Sequence, residues 1–178
     1  MSEAPTIVAD GVVLTAVTEA DAEAWLASED DAQVTAFEFP QTSTLDDVHR
    51  AIAMWQSGWA TDGPVRQWAL RDATTGELAG GVELRAMGDW RVANLSYVVF
   101  PRFRGREFAI AASRAAIEFA RTELGTETIS LEILQGNASS RRVAEKLGAR
   151  WVGTSPSHQG STFDRWHVDT AAVAPEDS

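Results

Sequence analysis

Tyr97-Val98-Val99-Phe100-Pro101-Arg102-Phe103-Arg104-Gly105-Arg106-Glu107-Phe108-Ala109 is the stretch on which the architecture turns. An apolar run, Val98-Val99-Phe100, meets a proline that cannot continue a β ladder. Being apolar throughout, the run predicts a strand buried on both faces. Phe108, Ala112, Ala115 and Phe119 then recur at helical spacing, with Ala111, Ala116 and Ala120 beside them. The periodicity predicts one helix over 104–124, closed by Gly125. So many alanines imply a helix lying close against a sheet. Residues 91–100 and 128–134 read as strands on either side, and a strand–helix–strand of this length is a parallel crossover.

Working outward, 7–17 reads as a strand pair or one long strand turning at Asp10-Gly11. Thr18 is an N-cap with Asp21 at N3, opening a helix to about Ala27. Thr44 caps a second helix, and the segment between is loop. Residues 67–71 and 78–85 are strands joined by a hairpin at Thr74-Thr75-Gly76-Glu77. Gly80-Gly81 marks a bulge or a close backbone approach, and Gly88-Asp89 is another turn. After 128–134, Gly136-Asn137 leads into a helix ending at Leu147-Gly148, and 151–154 and 163–168 are the last strands. The order of elements predicts an α/β fold: a mixed, mostly antiparallel sheet of six to seven strands flanked by about four helices.

The length of 178 residues fits one domain, taken as 1–170 with an acidic tail at 171–178. The formal net charge of -11 argues against a nucleic-acid binder, which needs a basic face. The excess is local: residues 1–63 hold twelve acidic residues and one basic residue, Arg50. With no cysteine, disulfides, thiolate metal sites and a catalytic cysteine are excluded. Three histidines, His49, His158 and His167, make a poor metal site, so no metal is expected. No apolar run approaches ~18 residues and no signal pattern opens the chain, so neither a membrane partner nor a compartment other than the cytoplasm is expected.

Two segments can carry chemistry. The first is the strand-to-helix junction at 101–109. A helix N-terminus presents unpaired N–H groups and partial positive charge, and a glycine with Arg102, Arg104 and Arg106 beside it can cradle phosphates. A plain turn whose arginines face water stands level with that reading. The junction is neither a Walker loop nor a dinucleotide fingerprint. The second is Asn137-Ala138-Ser139-Ser140-Arg141-Arg142-Val143-Ala144-Glu145-Lys146-Leu147-Gly148, where Asn137 is an N-cap. Ser140 either points into a cleft or bonds back to the cap.

The element order and these two motifs, with Trp68-Ala69-Leu70-Arg71-Asp72 and Thr75-Gly76-Glu77-Leu78-Ala79-Gly80, resemble the GNAT acetyltransferase superfamily. The branch most similar is the ribosomal-protein N-terminal (Rim-type) acetyltransferases, over about 8–170. The resemblance implies an enzyme moving an acetyl group from acetyl-CoA to a primary amine, a protein N-terminus or a small molecule, by direct attack. In such proteins the strand before the junction splays from its neighbour. Val98, Val99 and Phe100 then hold the pantetheine arm. Arg102 and Gly105, with N–H groups from Arg104, Arg106, Glu107, Phe108 and Ala109, take the pyrophosphate. Asn137 touches the pantetheine, Ser140 stands near sulfur as proton donor, and Arg141 and Lys146 face the nucleotide. A homodimer is open.

Three positions depart from the family pattern. Glu107 stands where Gly or Ala is usual, Asn94 where the branch carries a catalytic Glu, and Ser96 where Gly is usual. The attacking amine must lose a proton, because a free alkylammonium titrates far above neutrality. Glu83 is the candidate base and Tyr97 a second candidate acid. Glu132, His158 and His167 are weaker candidates. Trp25, Trp55 and Trp59 at helical positions read as core or groove wall. Asn94 and Glu107 also motivate a catalytically silent acyl-CoA-binding or sensing domain. The acidic first third, if it lines the acceptor approach, selects a cationic amine.

Overall fold

The computed structural model describes residues 3–31, 44–156 and 160–172. The expected loop at 32–42, His158 and most of the acidic tail lie outside them. Among the described residues the elements run β1 (Ile7–Ala9), β2 (Val12–Thr15), α1 (Ala22–Ala27), α2 (Leu45–Ala60), β3 (Val65–Asp72), β4 (Leu78–Met87) and β5 (Asp89–Val99). They continue with α3 (Phe108–Glu123), β6 (Thr128–Leu134), α4 (Ala138–Lys146), β7 (Arg150–Pro156) and β8 (Thr162–Asp169). The strands form one sheet of eight, in the order β1-β2-β3-β4-β5-β6-β8-β7. Among the described residues only β5 and β6 run parallel. The sheet is wider than the expected six to seven strands. Residues 7–15 are two paired strands rather than one, with Ile7 opposite Leu14.

The helices cover both faces of the sheet. Ala112, Ala116, Ile117 and Ala120 of α3 are fully buried beside Trp68, Leu70, Val82, Leu84 and Ile129. Small side chains let the helix axis sit close to the strands. On the other face Val17, Ala22, Val48 and Ile52 enclose Ala69. The alternation of Trp68 and Ala69 is the period-two pattern of a strand covered on both sides. At the start of β3 the fully buried Arg66 guanidinium lies over the Trp59 and Trp90 rings, 5.0 and 5.1 Å from their centroids. It bonds the carbonyls of Gly58 and Gly63 at 2.8 and 2.6 Å and pairs with Asp62.

Local capping follows the sequence. Thr18 and Asp21 form a capping box. Thr44 Oγ1 accepts from the Asp47 N–H. Asn137 Oδ1 accepts from the Ser140 N–H at 3.0 Å.

Two expectations at the junction are corrected. The helix over 104–124 begins only at Phe108, because Gly105 (φ 79°) and Glu107 (φ 61°) adopt left-handed backbone and turn the chain first. Val98 and Val99 are half-buried, not buried on both faces. The reason is that β6 pairs with β5 only through Val92, Ala93 and Asn94. Beyond Asn94 the two strands part, and the upper edge of β5 is left without a ladder partner.

Candidate active site

Splaying of β5 from β6 creates the site. The last parallel pair is Asn94 with Ser130, and Asn94 Nδ2 donates to the Ser130 carbonyl at 3.3 Å. Asn94 therefore closes the base of the notch. On its other side β5 stays tightly bound to β4, with Gly80 opposite Val99 and Gly81 opposite Val98. Both glycines are required by close approach. A Cβ on Gly80, whose φ is 150°, would stand 2.9 Å from the Val98 carbonyl carbon and overlap its oxygen. A Cβ on Gly81 would lie 2.6 Å from Gln67 Nε2 and overlap the Trp25 ring.

Two cavities flank β5. The first, about 350 Å³, is walled by Tyr97, Val98 and Val99, the junction, and the first turns of α3 and α4. The chain brings together there Arg104, Gly105, Glu107, Phe108, Ala109, Asn137 and Ser140, with Phe103, Ile110, Ser139 and Val143, which sequence reading passed over. Val143 was legible in principle, since it follows Ser140 by one helical turn. The free N–H groups at the start of α3 and the open edge of β5 offer donors and acceptors to an elongated, anionic-ended ligand.

The junction arginines do not fill this cavity as a cluster. Arg102 pairs with Glu77 at 2.6 Å and Arg106 with Asp72 at 3.0 Å, both reaching the β3–β4 hairpin. Neither is in the cavity wall, nor are Phe100, Arg141 and Lys146. Phe100 is buried, its ring T-shaped to Trp25 with centroids 5.9 Å apart. Arg141 is exposed on α4. Lys146 pairs with Glu107 and holds that carboxyl below the usual range, chiefly through their hydrogen bond. Glu107 thus faces α4 from the cavity rim.

The second cavity, about 370 Å³, lies between β4–β5 and helices α1 and α2. Trp25 and Trp55, 5.0 Å apart, form its aromatic wall, while Trp59 is core. Glu83, Glu29, Arg85, Ser96 and Tyr97 supply polar groups to it, with Ser28 and Gln67. Glu29 was not foreseen; its Oε2 is buried without a hydrogen bond. Glu83 faces Ser96 across the ladder and pairs with Arg85 at 3.0 Å. Burial pushes the Glu83 carboxyl above its ordinary value, and Arg85 and Trp55 draw it partly back.

Tyr97 and Val98 line both cavities. Burial raises the Tyr97 phenol, with the neighbouring Ser140 hydroxyl acting against the shift. The phenol oxygen still has no hydrogen bond of ordinary geometry. A buried phenol beside a hydroxyl, at the meeting point of two cavities, can donate a proton to a group reacting there.

The remaining candidates lie elsewhere. Glu132 is exposed and accepts from Ser155 Oγ at 3.3 Å. It borders a third pocket of about 80 Å³ in the notch. His167 sits opposite Arg150, and burial, then Arg165 and Arg150, lower its pKa. Among the described residues, no helix is long and apolar enough to cross a membrane.

Comparison with known proteins agrees with this geometry. A Bacillus subtilis protein named uncharacterized N-acetyltransferase YoaA is 25% identical over 152 residues, covering 84% of this chain and 85% of the relative. The structure of Mycobacterium smegmatis RimJ in complex with CoA-disulfide superposes with TM-score 0.81 at 18% identity, over 96% of this chain and 88% of that one. Spermidine N-acetyltransferase from Vibrio cholerae, in complex with CoA and spermine, gives TM-score 0.76 at 18% identity, over 91% and 97%. Residues 12–150 match the family described as acetyltransferase (GNAT) domain, and the chain belongs to that family.

Proposed function

We propose that the protein is an acetyl-CoA-dependent N-acetyltransferase acting on a primary amine by direct attack. The observation that carries this is the meeting of two cavities across one strand at Tyr97 and Val98, one opening on a helix N-terminus and the other holding a buried carboxylate. RimJ and the spermidine enzyme, both solved with coenzyme ligands, support the reading. The first cavity fits the coenzyme by its open strand edge at Val98 and Val99 and by the helix N-terminus at its other side. Acetyl-CoA supplies the acetyl thioester.

The chain's own residues then have distinct tasks. Backbone groups of Val98 and Val99 hold the pantetheine arm, and the N–H groups of Gly105 to Ala109 hold the pyrophosphate. The junction arginines are engaged with carboxylates, Arg102 with Glu77, Arg104 with Asp31 and Arg106 with Asp72, so backbone N–H groups rather than these side chains meet the phosphates. Glu83, whose carboxyl is raised above its ordinary value by burial and lines the second cavity, takes the proton of the bound ammonium. Tyr97 gives the single proton that the departing thiolate takes up, with the Ser140 hydroxyl beside the phenol steadying it. Holding both partners in one cleft supplies the rest of the rate through positioning. Glu83 fills the role left open by Asn94, which is committed to Ser130.

Isothermal titration with acetyl-CoA, followed by thiol release on a panel of amines, tests the reading. Binding in the micromolar range with turnover on at least one primary amine is expected. No binding at millimolar concentration would overturn it. Binding without turnover across the panel would favour the silent acyl-CoA-binding reading that Asn94 and Glu107 motivate.

A further inference from the structure

Arg104 is the junction arginine that does not reach the β3–β4 hairpin. Its Nε donates to the Val99 carbonyl at 3.1 Å. Its two terminal nitrogens fork onto Asp31, at 3.3 Å to Oδ1 and 2.6 Å to Oδ2. Asp31 caps the 3₁₀ turn Ser28–Asp30 that follows α1. Ser28 and Glu29 of that turn line the second cavity, and Ser28 Oγ ties the turn back to the Trp25 carbonyl at 2.7 Å. One guanidinium thus joins a carbonyl on the first cavity's strand to the turn that walls the second. The pair is largely shielded, with the Asp31 side chain 16% exposed and that of Arg104 30%. A bidentate arginine–carboxylate bridge fixes geometry as well as charge.

We infer that the Arg104–Asp31 bridge couples the two cavities: occupation of the coenzyme cavity steadies the α1 turn and thereby raises affinity for the acceptor. This rests on the coenzyme and acceptor assignments above. Residues 99–105 are the segment a coenzyme would order. Immobilising them immobilises Arg104, whose Nε bond to Val99 lies within the same segment. Asp31, and with it Ser28, Glu29 and Trp25, then loses freedom before the amine arrives. The second ligand meets a wall already ordered, which is positive coupling, and the coupling is reciprocal. Arg104 here is a positioning residue, acting on the acceptor through Asp31. Arg102 and Arg106 brace the same loop but point away from the acceptor wall, so they do not transmit the effect.

Hydrogen exchange of the full chain with and without coenzyme A tests this. In the wild type, coenzyme A is expected to slow exchange both in 98–109 and in 22–31. In Asp31→Asn the first protection stays and the second is lost, coenzyme affinity stays within about twofold, and KM for the amine rises about fivefold or more. Arg104→Lys, which keeps the charge but not the fork, also loses the 22–31 response. A merely structural bridge would change exchange in 22–31 equally with and without coenzyme. That result, or wild-type protection confined to 98–109, overturns the coupling. Absence of protection even in 98–109 overturns the coenzyme assignment itself, and the coupling with it.

Discussion

Gly80→Ala probes the seam on which both cavities depend. Gly80 has φ 150°, where an L side chain is strained, and its Cβ would enter the Val98 peptide, 2.9 Å from the carbonyl carbon and 3.1 Å from Val99 Cα. The backbone term costs about 1–3 kcal/mol. Relief requires β4 and β5 to part, which endangers neighbouring bonds such as Phe100 N–H to the Ala79 carbonyl at 2.8 Å. Two weakened ladder bonds add about 1–3 kcal/mol. The sum, about 2–6 kcal/mol, is a large part of a domain's usual stability, and at ~2–4 °C per kcal/mol it lowers Tm by about 4–24 °C. Gly76→Ala is the control: φ is 74° but nothing lies within 4 Å of its Cβ. That substitution carries the backbone term alone, about 1–2 kcal/mol. Thermal melts followed by circular dichroism, with acetyl-CoA titration of each variant, read the difference. Gly80→Ala should melt about 2–12 °C below Gly76→Ala, the share of the ladder term, and bind acetyl-CoA more weakly, since the end of β5 is displaced. Equal melting of the two variants would refute the close approach.

Further expectations follow from the polar groups. Glu83→Gln should lower kcat by about 10²–10⁴ and abolish the acid limb of the pH–rate profile; an unchanged limb would remove Glu83 as base. That limb should lie above the ordinary carboxylate range, because burial raises this group. The sign for stability is opposite to that of a carboxylate whose folded pKa is depressed, because burial outweighs the Arg85 pair. The contribution of Glu83 is fully present below its ordinary value of 4.5 and lost as pH rises through the raised folded value. The Gln variant should therefore gain in Tm relative to wild type as pH rises toward neutrality. Glu107→Gly removes a left-handed non-glycine residue and a carboxylate at the cavity rim, and releases Lys146. Acetyl-CoA should bind roughly two- to fivefold more tightly at low salt, and the gain should shrink at high salt. Ser140→Ala keeps the helix cap, which uses the Ser140 N–H, so kcat should fall about tenfold or more with little change in melting. A Ser140→Ala enzyme with wild-type kcat would exclude that hydroxyl from the proton transfer.

Much of this protein was readable along the chain, and the legible parts share one property. Thr18 with Asp21, Thr44 with Asp47, and Asn137 with Ser140 are pairs three residues apart, so local rules of helix capping reach them. The alanine face of α3 and the alternation in β3 announce their burial because periodicity is itself local. The crossover from β5 to β6 followed from its length, and the family from two motifs whose spacing survives in the sequence. What only the tertiary structure decided involves partners far apart. Arg104 meets Asp31 across 73 positions and Arg106 meets Asp72 across 34. No periodicity indicates that three adjacent arginines are claimed by three separate carboxylates. The half-burial of Val98 and Val99 depends on where β6 leaves β5, and Glu29 enters the second cavity only because α1 lies against β4. Charge shows the same division. The sequence by itself determined that the acid excess lies in residues 1–63. The fold determined that Asp21 and Asp31 from that excess are consumed by Arg71 and Arg104, while a Glu29 oxygen in the wall of the second cavity has no hydrogen bond. A residue's charge belongs to its side chain, but its partner is set by the packing of distant elements.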